Sequence, residues 1–158
     1  MFYAVMAAMA AAIIGLDQWT KALVRAASEA GRLPSRSILG IFHITHAENT
    51  GAAWSILEGQ TWVFVLVLFV FLALFAVMLW KKWLSSKFEL VCLFAIAGGG
   101  IGNLIDRLTR GSVTDMIALD FVNFPVFNVA DCFITVGCFS LIVYVLCTTR
   151  KKPDADPS

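Results

Sequence analysis

The sequence predicts an all-α membrane protein: four transmembrane helices, with short strands and an interfacial helix on one side of the bilayer. Three observations carry this expectation. Hydrophobic residues make up 59% of the 158 residues and the mean hydropathy is +0.82, whereas soluble domains hold roughly 45–50% apolar residues. Four apolar stretches occur, at about 2–23, 62–80, 88–108 and 126–149, each able to cross a core of about 30 Å at about 1.5 Å per helical residue. The charges collect between these stretches or at their ends. Four spans with short links fill the chain, so residues 1–152 read as a single domain and residues 153–158 as a disordered tail.

The first span carries no Lys or Arg ahead of its apolar run and leads straight into Asp17 and Lys21, so it reads as a retained helix and not as a cleaved signal peptide. Asp17 and Lys21 stand at i,i+4 in the order that favours an ion pair on one helical face. In the segment that follows, residues 38–46 are rich in β-formers after a turn containing Gly31 and Pro34, which predicts short strands. After Asn49-Thr50-Gly51, the run AAWSIL at 52–57 suits a short interfacial helix anchored by Trp54. The second span has 22 residues without a charge, 59–80, ending in Trp80 with Trp62 near its start. That marks it as the most lipid-exposed helix.

The third span holds Gly98, Gly99, Gly100 and Gly102, a spacing that permits close helix approach. Asn103, Asp106 and Arg107 follow at its outer end, where Arg107 can reach a backbone carbonyl, a lipid phosphate or Asp106. The fourth span begins near Asp131, after which residues 132–149 carry no charge. Lys81, Lys82 and Lys87 in the second link, and Arg150, Lys151 and Lys152 after the last span, place both of those ends, and the N-terminus with them, in the cytoplasm. Residues 24–61 and 109–125 then lie on the outer side with nearly all the candidate chemistry.

Two carboxylates stand out there. An Asp near the middle of a spanning helix costs roughly 2.5–3.5 kcal/mol and less near the interface, so such residues face polar cavities and mark function. Asp115 precedes Asp131 by 16 residues, across a segment containing Pro125, and can fold back against it. Two carboxylates close together cannot both ionise cheaply; they share a proton, one acting as base on a water while the other polarises a carbonyl. Such a pair suits hydrolysis without a covalent intermediate. Asn49 and Asn128 are amides able to bind an extended peptide, and Asn128, three residues before Asp131, is also placed to cap the helix.

Other chemistries lack their parts. No Ser-x-x-Lys, Gly-x-Ser-x-Gly or His-Glu-x-x-His occurs. His43 and His46 have no third ligand at a sensible spacing, so neither metal nor cofactor is expected. Cys92, Cys132, Cys138 and Cys147 all fall in apolar segments without a Cys-x-x-Cys, which predicts buried thiols and no disulfide. No basic patch suggests nucleic acid. The rival reading is a carboxylate-coupled transporter or ion pathway, but it calls for carboxylates near the bilayer midplane, and here the acidic residues lie at or near span ends. A Gly-x-Gly-Asp intramembrane protease is excluded because that motif is absent.

Taken together, the motifs resemble those of the lipoprotein signal peptidases, the bacterial signal peptidase II family of membrane aspartyl proteases. The matching stretches are Asp17-Gln18-Trp19-Thr20-Lys21, Asn49-Thr50-Gly51-Ala52-Ala53-Trp54, Gly102-Asn103-Leu104-Ile105-Asp106-Arg107, Val113-Thr114-Asp115 and Phe127-Asn128-Val129-Ala130-Asp131, in family order along almost the whole chain. The resemblance implies that Asp115 and Asp131 are the catalytic dyad of an inner-membrane endopeptidase. It implies that Asn49, Asn103, Arg107 and Asn128 position the substrate or support the dyad, and that Asp17, Lys21, Gly51 and Asp106 support the site. It further implies a small periplasmic β-platform beside the interfacial helix. The partners it implies are membrane lipids and prolipoproteins cut just before a diacylglyceryl-modified cysteine, with a monomer adequate for the reaction. Two departures concern the loop shape: Thr114 stands where an apolar residue is expected, and the interval between the aspartates is short.

Overall fold

Helix α1 (Phe2–Glu29) opens the chain. It continues past residue 23, the expected end of the first span, because Ala26, Ala27 and Glu29 are good helix formers that extend the helix after its apolar run has ended. The computed structural model describes residues 1–33, 37–52, 56–84 and 86–149. Helix α2 (Thr61–Trp80) is apolar on every face and buries only Phe75, as suits a helix immersed in lipid. Trp62 and Trp80 are exposed at its two ends.

Helix α3 (Lys87–Arg110) is the centre of the bundle. Half of its most apolar stretch is buried against 6% for α2; α1 and α4 (Val129–Thr149) pack closely on it and α2 only lightly. Its start is fixed by a capping box in which Phe88 N–H donates to Ser86 Oγ (3.1 Å) and Ser86 N–H to Glu89 Oε2 (3.2 Å). It ends where Gly111 takes φ +79°, the left-handed conformation that a residue without Cβ adopts freely. The close approach expected of the glycines is present: a Cβ on Gly99 would fall 2.6 Å from Ala130 O, and one on Gly98 3.1 Å from Ala10 O. Towards the start of α3, Phe75, Leu90, Leu93 and Ala97 form an apolar cluster, with Phe75 and Phe94 edge to face at 5.1 Å.

Strands β1 (Phe42–Asn49) and β2 (Val113–Leu119) pair antiparallel. The strand expected over 38–46 thus starts later and runs further, with Ile38 joining only through an isolated bridge to Phe42. β2 lies within residues 109–125, for which no strand was foreseen. The register pairs Phe42 with Leu119 and Glu48 with Thr114, and a bulge between Ile44 and Ala47 sits beside Asp115, a device that re-aims side chains near sites. The chain then loops back so that Phe127 pairs with Ile117 through N–H···O bonds of 2.8 and 3.1 Å. That pairing is why α4 begins at Val129 and not at 126. Half of the expected interfacial helix, with Trp54, falls on residues 53–55, outside the described residues, as do Pro34, the basic cluster 150–152 and the tail; Ile56 to Gly59 form turns.

Candidate active site

Asp131 is the third residue of α4, and its position is set by the backbone before its chemistry is considered. Asn128 caps the helix by accepting from Asp131 N–H at 2.9 Å, and Asn128 N–H donates back to Asp131 Oδ2 at 3.2 Å. This is a capping box with Asp in the reciprocal place, and it confirms the capping role foreseen for Asn128. The other oxygen, Oδ1, accepts from Asn103 Nδ2 at 2.8 Å.

Asp115 comes from β2 and is held from two sides. Its Oδ2 accepts from Asn49 Nδ2 at 2.9 Å and its Oδ1 from Asn128 Nδ2 at 2.6 Å. Asn49 reaches it diagonally, since its register partner is Val113. Asn128 also donates to Asn103 Oδ1 at 3.1 Å, so the two amides of Asn103 and Asn128 join the two carboxylates. Each carboxylate oxygen still has a lone pair open for a shared proton or a water. Burial pushes Asp115 up to about 6; the bonds from Asn49 and Asn128 oppose that rise and the Asp131 charge adds to it.

Behind the amides lies a buried ionic cluster. Lys21 Nζ uses its three protons on Asp17 Oδ2 (2.8 Å), Asn103 Oδ1 (2.8 Å) and Asp106 Oδ2 (3.2 Å). Asp17 and Lys21 are each 0% exposed and Asp106 is 1%, so the expected pair is not an interfacial fringe but the inside of the bundle. Removing one member of such a cluster typically costs about 3–5 kcal/mol. Asp17 Oδ1 also accepts from Ala130 N–H at 3.0 Å, tying α1 to the first turn of α4. A Cβ on Gly102 would lie 2.6 Å from Asp17 Oδ2, so a glycine there makes room for the cluster.

Arg107 takes the first of its three expected partners. Its Nη2 donates to Gly51 O at 3.0 Å, and its guanidinium lies 4.2 Å from the centre of the Phe64 ring. Gly51 is itself confined, since a Cβ there would fall 2.7 Å from Ile56 O, and its N–H donates to Asn49 Oδ1 at 2.9 Å. These contacts close the rim of a cleft of about 770 Å³ whose polar end holds Asn49, Asn103, Arg107, Asp115 and Asp131. Its walls, among them Phe64, Leu68, Phe71, Ile96 and Ile134, come from the spanning helices α2, α3 and α4. An apolar trough ending in two carboxylates suits an apolar substrate with one polar bond to attack.

The comparisons agree with this geometry. A family model described as signal peptidase (SPase) II matches residues 9–147. The chain belongs to the signal peptidase II family. It is 44% identical over 134 residues to a lipoprotein signal peptidase of Streptococcus thermophilus, covering 84% of this chain and 86% of that one. To the lipoprotein signal peptidase of Enterococcus faecalis it is 38% identical over 138 residues, covering 87% and 85%. A solved structure of a bacterial membrane enzyme, obtained in meso at 2.3 Å, superposes with a TM-score of 0.84 at 27% identity over 98% of this chain and 95% of that one. As a signal peptidase II, the chain is a multi-pass membrane protease.

Every site residue anticipated for this signal peptidase lies in or behind the cleft. Of the two amides foreseen as able to bind an extended peptide, Asn128 gives its Nδ2 protons to Asp115 and Asn103, while Asn49 gives one to Asp115. Sequence reasoning missed Gln18, whose Nε2 donates to Gly102 O (3.0 Å) and Asp106 Oδ1 (3.1 Å). It also missed Arg25, although Asp17, Lys21 and Arg25 at four-residue steps mark one helical face. Glu48, Thr114 and Phe64 have no such local signal. The histidines stay outside the cleft: His43 Nδ1 donates to Asp120 Oδ1 at 2.6 Å, and His46 bridges Ser28 Oγ (3.0 Å) and Glu48 Oε1 (2.8 Å). All four cysteines are free thiols, but only Cys92 is buried as expected; Cys132 and Cys138 are half-buried and Cys147 is exposed, because they lie on α4, which is little covered by the bundle.

Proposed function

We propose that this signal peptidase removes signal peptides from prolipoproteins by cutting just before a lipobox cysteine that already carries diacylglycerol, using Asp115 and Asp131 as its acid and base. The observation that carries the reading is the pair of carboxylates joined through Asn103 and Asn128 at the polar end of an apolar cleft. In the reaction, the ionised aspartate takes a proton from a water whose oxygen attacks the scissile carbonyl, while the protonated aspartate donates to the carbonyl oxygen. The C–N bond of the resulting tetrahedral diol then breaks as the cysteine nitrogen takes the proton held by the first aspartate and a diol hydroxyl returns its proton to the second, reforming the carbonyl. Acid and amine products leave the pair ready for another water. Burial of Asp115, which lifts it to about 6, keeps that proton available close to neutral pH.

The remaining residues orient this pair. Asn49 and Asn128 hold Asp115, Asn103 holds Asp131, and Asp17, Lys21 and Asp106 fix Asn103 and the start of α4; Arg107 and Gly51 shape the rim. The diacylglyceryl group lies among membrane lipids and the cleft's apolar walls, where acyl burial is worth about 0.8 kcal/mol per CH₂. That fixes the substrate to the membrane and leaves the cut site to be read by close contacts, so small residues are required before the cysteine. The chain acts as a monomer in the inner membrane without nucleic acid, with both termini cytoplasmic and the dyad near the outer face. Lys81, Lys82 and Lys87 support that orientation.

The test uses the purified full chain in lipid vesicles with a lipobox peptide made with and without diacylglycerol on its cysteine. The modified peptide is cleaved before the cysteine and the unmodified one is left intact. Equal cleavage of both, or cleavage elsewhere, overturns the assignment.

A further inference from the structure

Thr114, immediately before Asp115, is fully buried. It stands next to Asp115 on β2 and, by strand alternation, on the opposite face. Its Oγ1 accepts from Arg25 Nη1 of α1 at 3.0 Å and donates to Glu48 Oε1 of β1 at 3.3 Å. A hydroxyl has one proton to give and lone pairs to receive, so these two bonds fix its direction between a cation and a carboxylate. Its backbone N–H donates to Asp106 Oδ2 at 3.2 Å, the oxygen that also meets Lys21 Nζ at 3.2 Å. An apolar residue could keep only that last bond.

We propose that Thr114 is a positioning residue for the reaction, acting through Asp115. The carboxylates hang from one hub by different routes: Asp131 through Asn103 and Lys21, and the Asp115 strand through Thr114 and Asp106. The Thr114 hydroxyl presses that strand onto α1 and β1 from behind, so Asp115 faces Asn49 and Asn128 in one register only. Glu48 is the outer anchor of the bridge. It accepts also from Ser112 and His46, and although burial alone would raise it, those bonds hold it below the usual carboxylate range.

This inference rests on the dyad reading, and its test separates the two. Steady-state cleavage of the diacylglyceryl peptide is compared for Thr114→Val, Thr114→Ser and Asp115→Asn in lipid, with melting temperatures measured alongside. The valine variant keeps the shape and loses the bridge, so its kcat falls about tenfold with KM nearly unchanged, short of the ~100-fold that a full ångström of misplacement costs. Serine restores the bridge and recovers most of the rate. If Thr114→Val does not fold, Glu48→Ala, at a half-exposed outer residue, shows the same fall in kcat with KM unchanged. Wild-type kcat in Thr114→Val, or a serine variant as slow as the valine one, overturns the role of Thr114 while an inactive Asp115→Asn leaves the dyad standing; turnover by Asp115→Asn overturns both.

Discussion

The two ends of the helical bundle are held by opposite means. Towards the start of α3, Phe75, Leu90, Leu93 and Ala97 pack as apolar side chains. Around Asn103 and Asp106 the same helix meets its neighbours through Lys21, Asp17, Gln18 and Asn128. In lipid, apolar contact gives little preference for one partner over another, because acyl chains are as apolar as leucine; close packing and hydrogen bonds decide. The apolar end therefore needs only shape, whereas the polar end fixes direction, since each buried donor has one acceptor to find. Among the described residues no buried side-chain nitrogen or oxygen lacks a partner. The difference teaches that the cost of burying charge is concentrated where a defined geometry of two carboxylates is required.

The largest break in this contrast is Lys21→Met. It leaves Asp17 without its cation, leaves Asp106 only Arg25 Nη1 at 3.9 Å, and frees Asn103 from its orienting bond, so kcat falls by roughly 100-fold or more and the melting temperature drops with it. Single-turnover cleavage in vesicles measures the first and thermal unfolding in detergent the second. Near-normal turnover would mean that the ionic cluster is idle.

Arg107→Ala is smaller. It removes one charged hydrogen bond to Gly51 O and the contact with the Phe64 ring, a loss of about 10-fold in kcat/KM. Arg107→Lys should recover little, because a point charge cannot both stack on the ring and reach the carbonyl. Full activity in the lysine variant would show that charge alone matters at the rim.

A milder effect follows from pH. Asp115 is raised to about 6 by burial, so the folded protein binds its proton more tightly than the unfolded chain does. Its contribution to stability is complete below about 3.9, the ordinary Asp value, and is lost as pH rises through about 6. Melting temperature should decline across that window in the wild type and flatten in Asp115→Asn. Activity should be bell-shaped, with both limbs belonging to the pair. The smallest effect on turnover belongs to the other end: Leu93→Ala lowers the melting temperature while kcat stays within about twofold, as expected for sites that share no partners.

The contrast also explains what was legible in the sequence. Spans are written in hydropathy, and all four were readable to within a few residues wherever the end of the apolar run was also the end of the helix. Helix α1 broke that rule because Ala26 to Glu29 carry helical propensity without apolar character. Asp17 with Lys21, and Asn103 with Arg107, were visible because helical neighbours are four residues apart. Strand β2 was not, although Val113, Thr114 and Ile117 are β-branched, because its partner lies far upstream and the pairing passes through a bulge at Ala47. For the same reason Glu48 and Thr114 gave no sign of meeting. Local periodicity records what a residue's own element does; a site built from α1, α3, α4 and two strands is recorded only in the pairing.

The central claim is that the polar end exists to hold two carboxylates for hydrolysis. Its most direct test is cleavage of the diacylglyceryl peptide by purified Asp115→Asn and Asp131→Asn, each reconstituted in lipid and checked for insertion and a cooperative melt. Both variants should insert normally and produce no cleavage above the peptide-only background. Substantial turnover by either folded variant would contradict the mechanism.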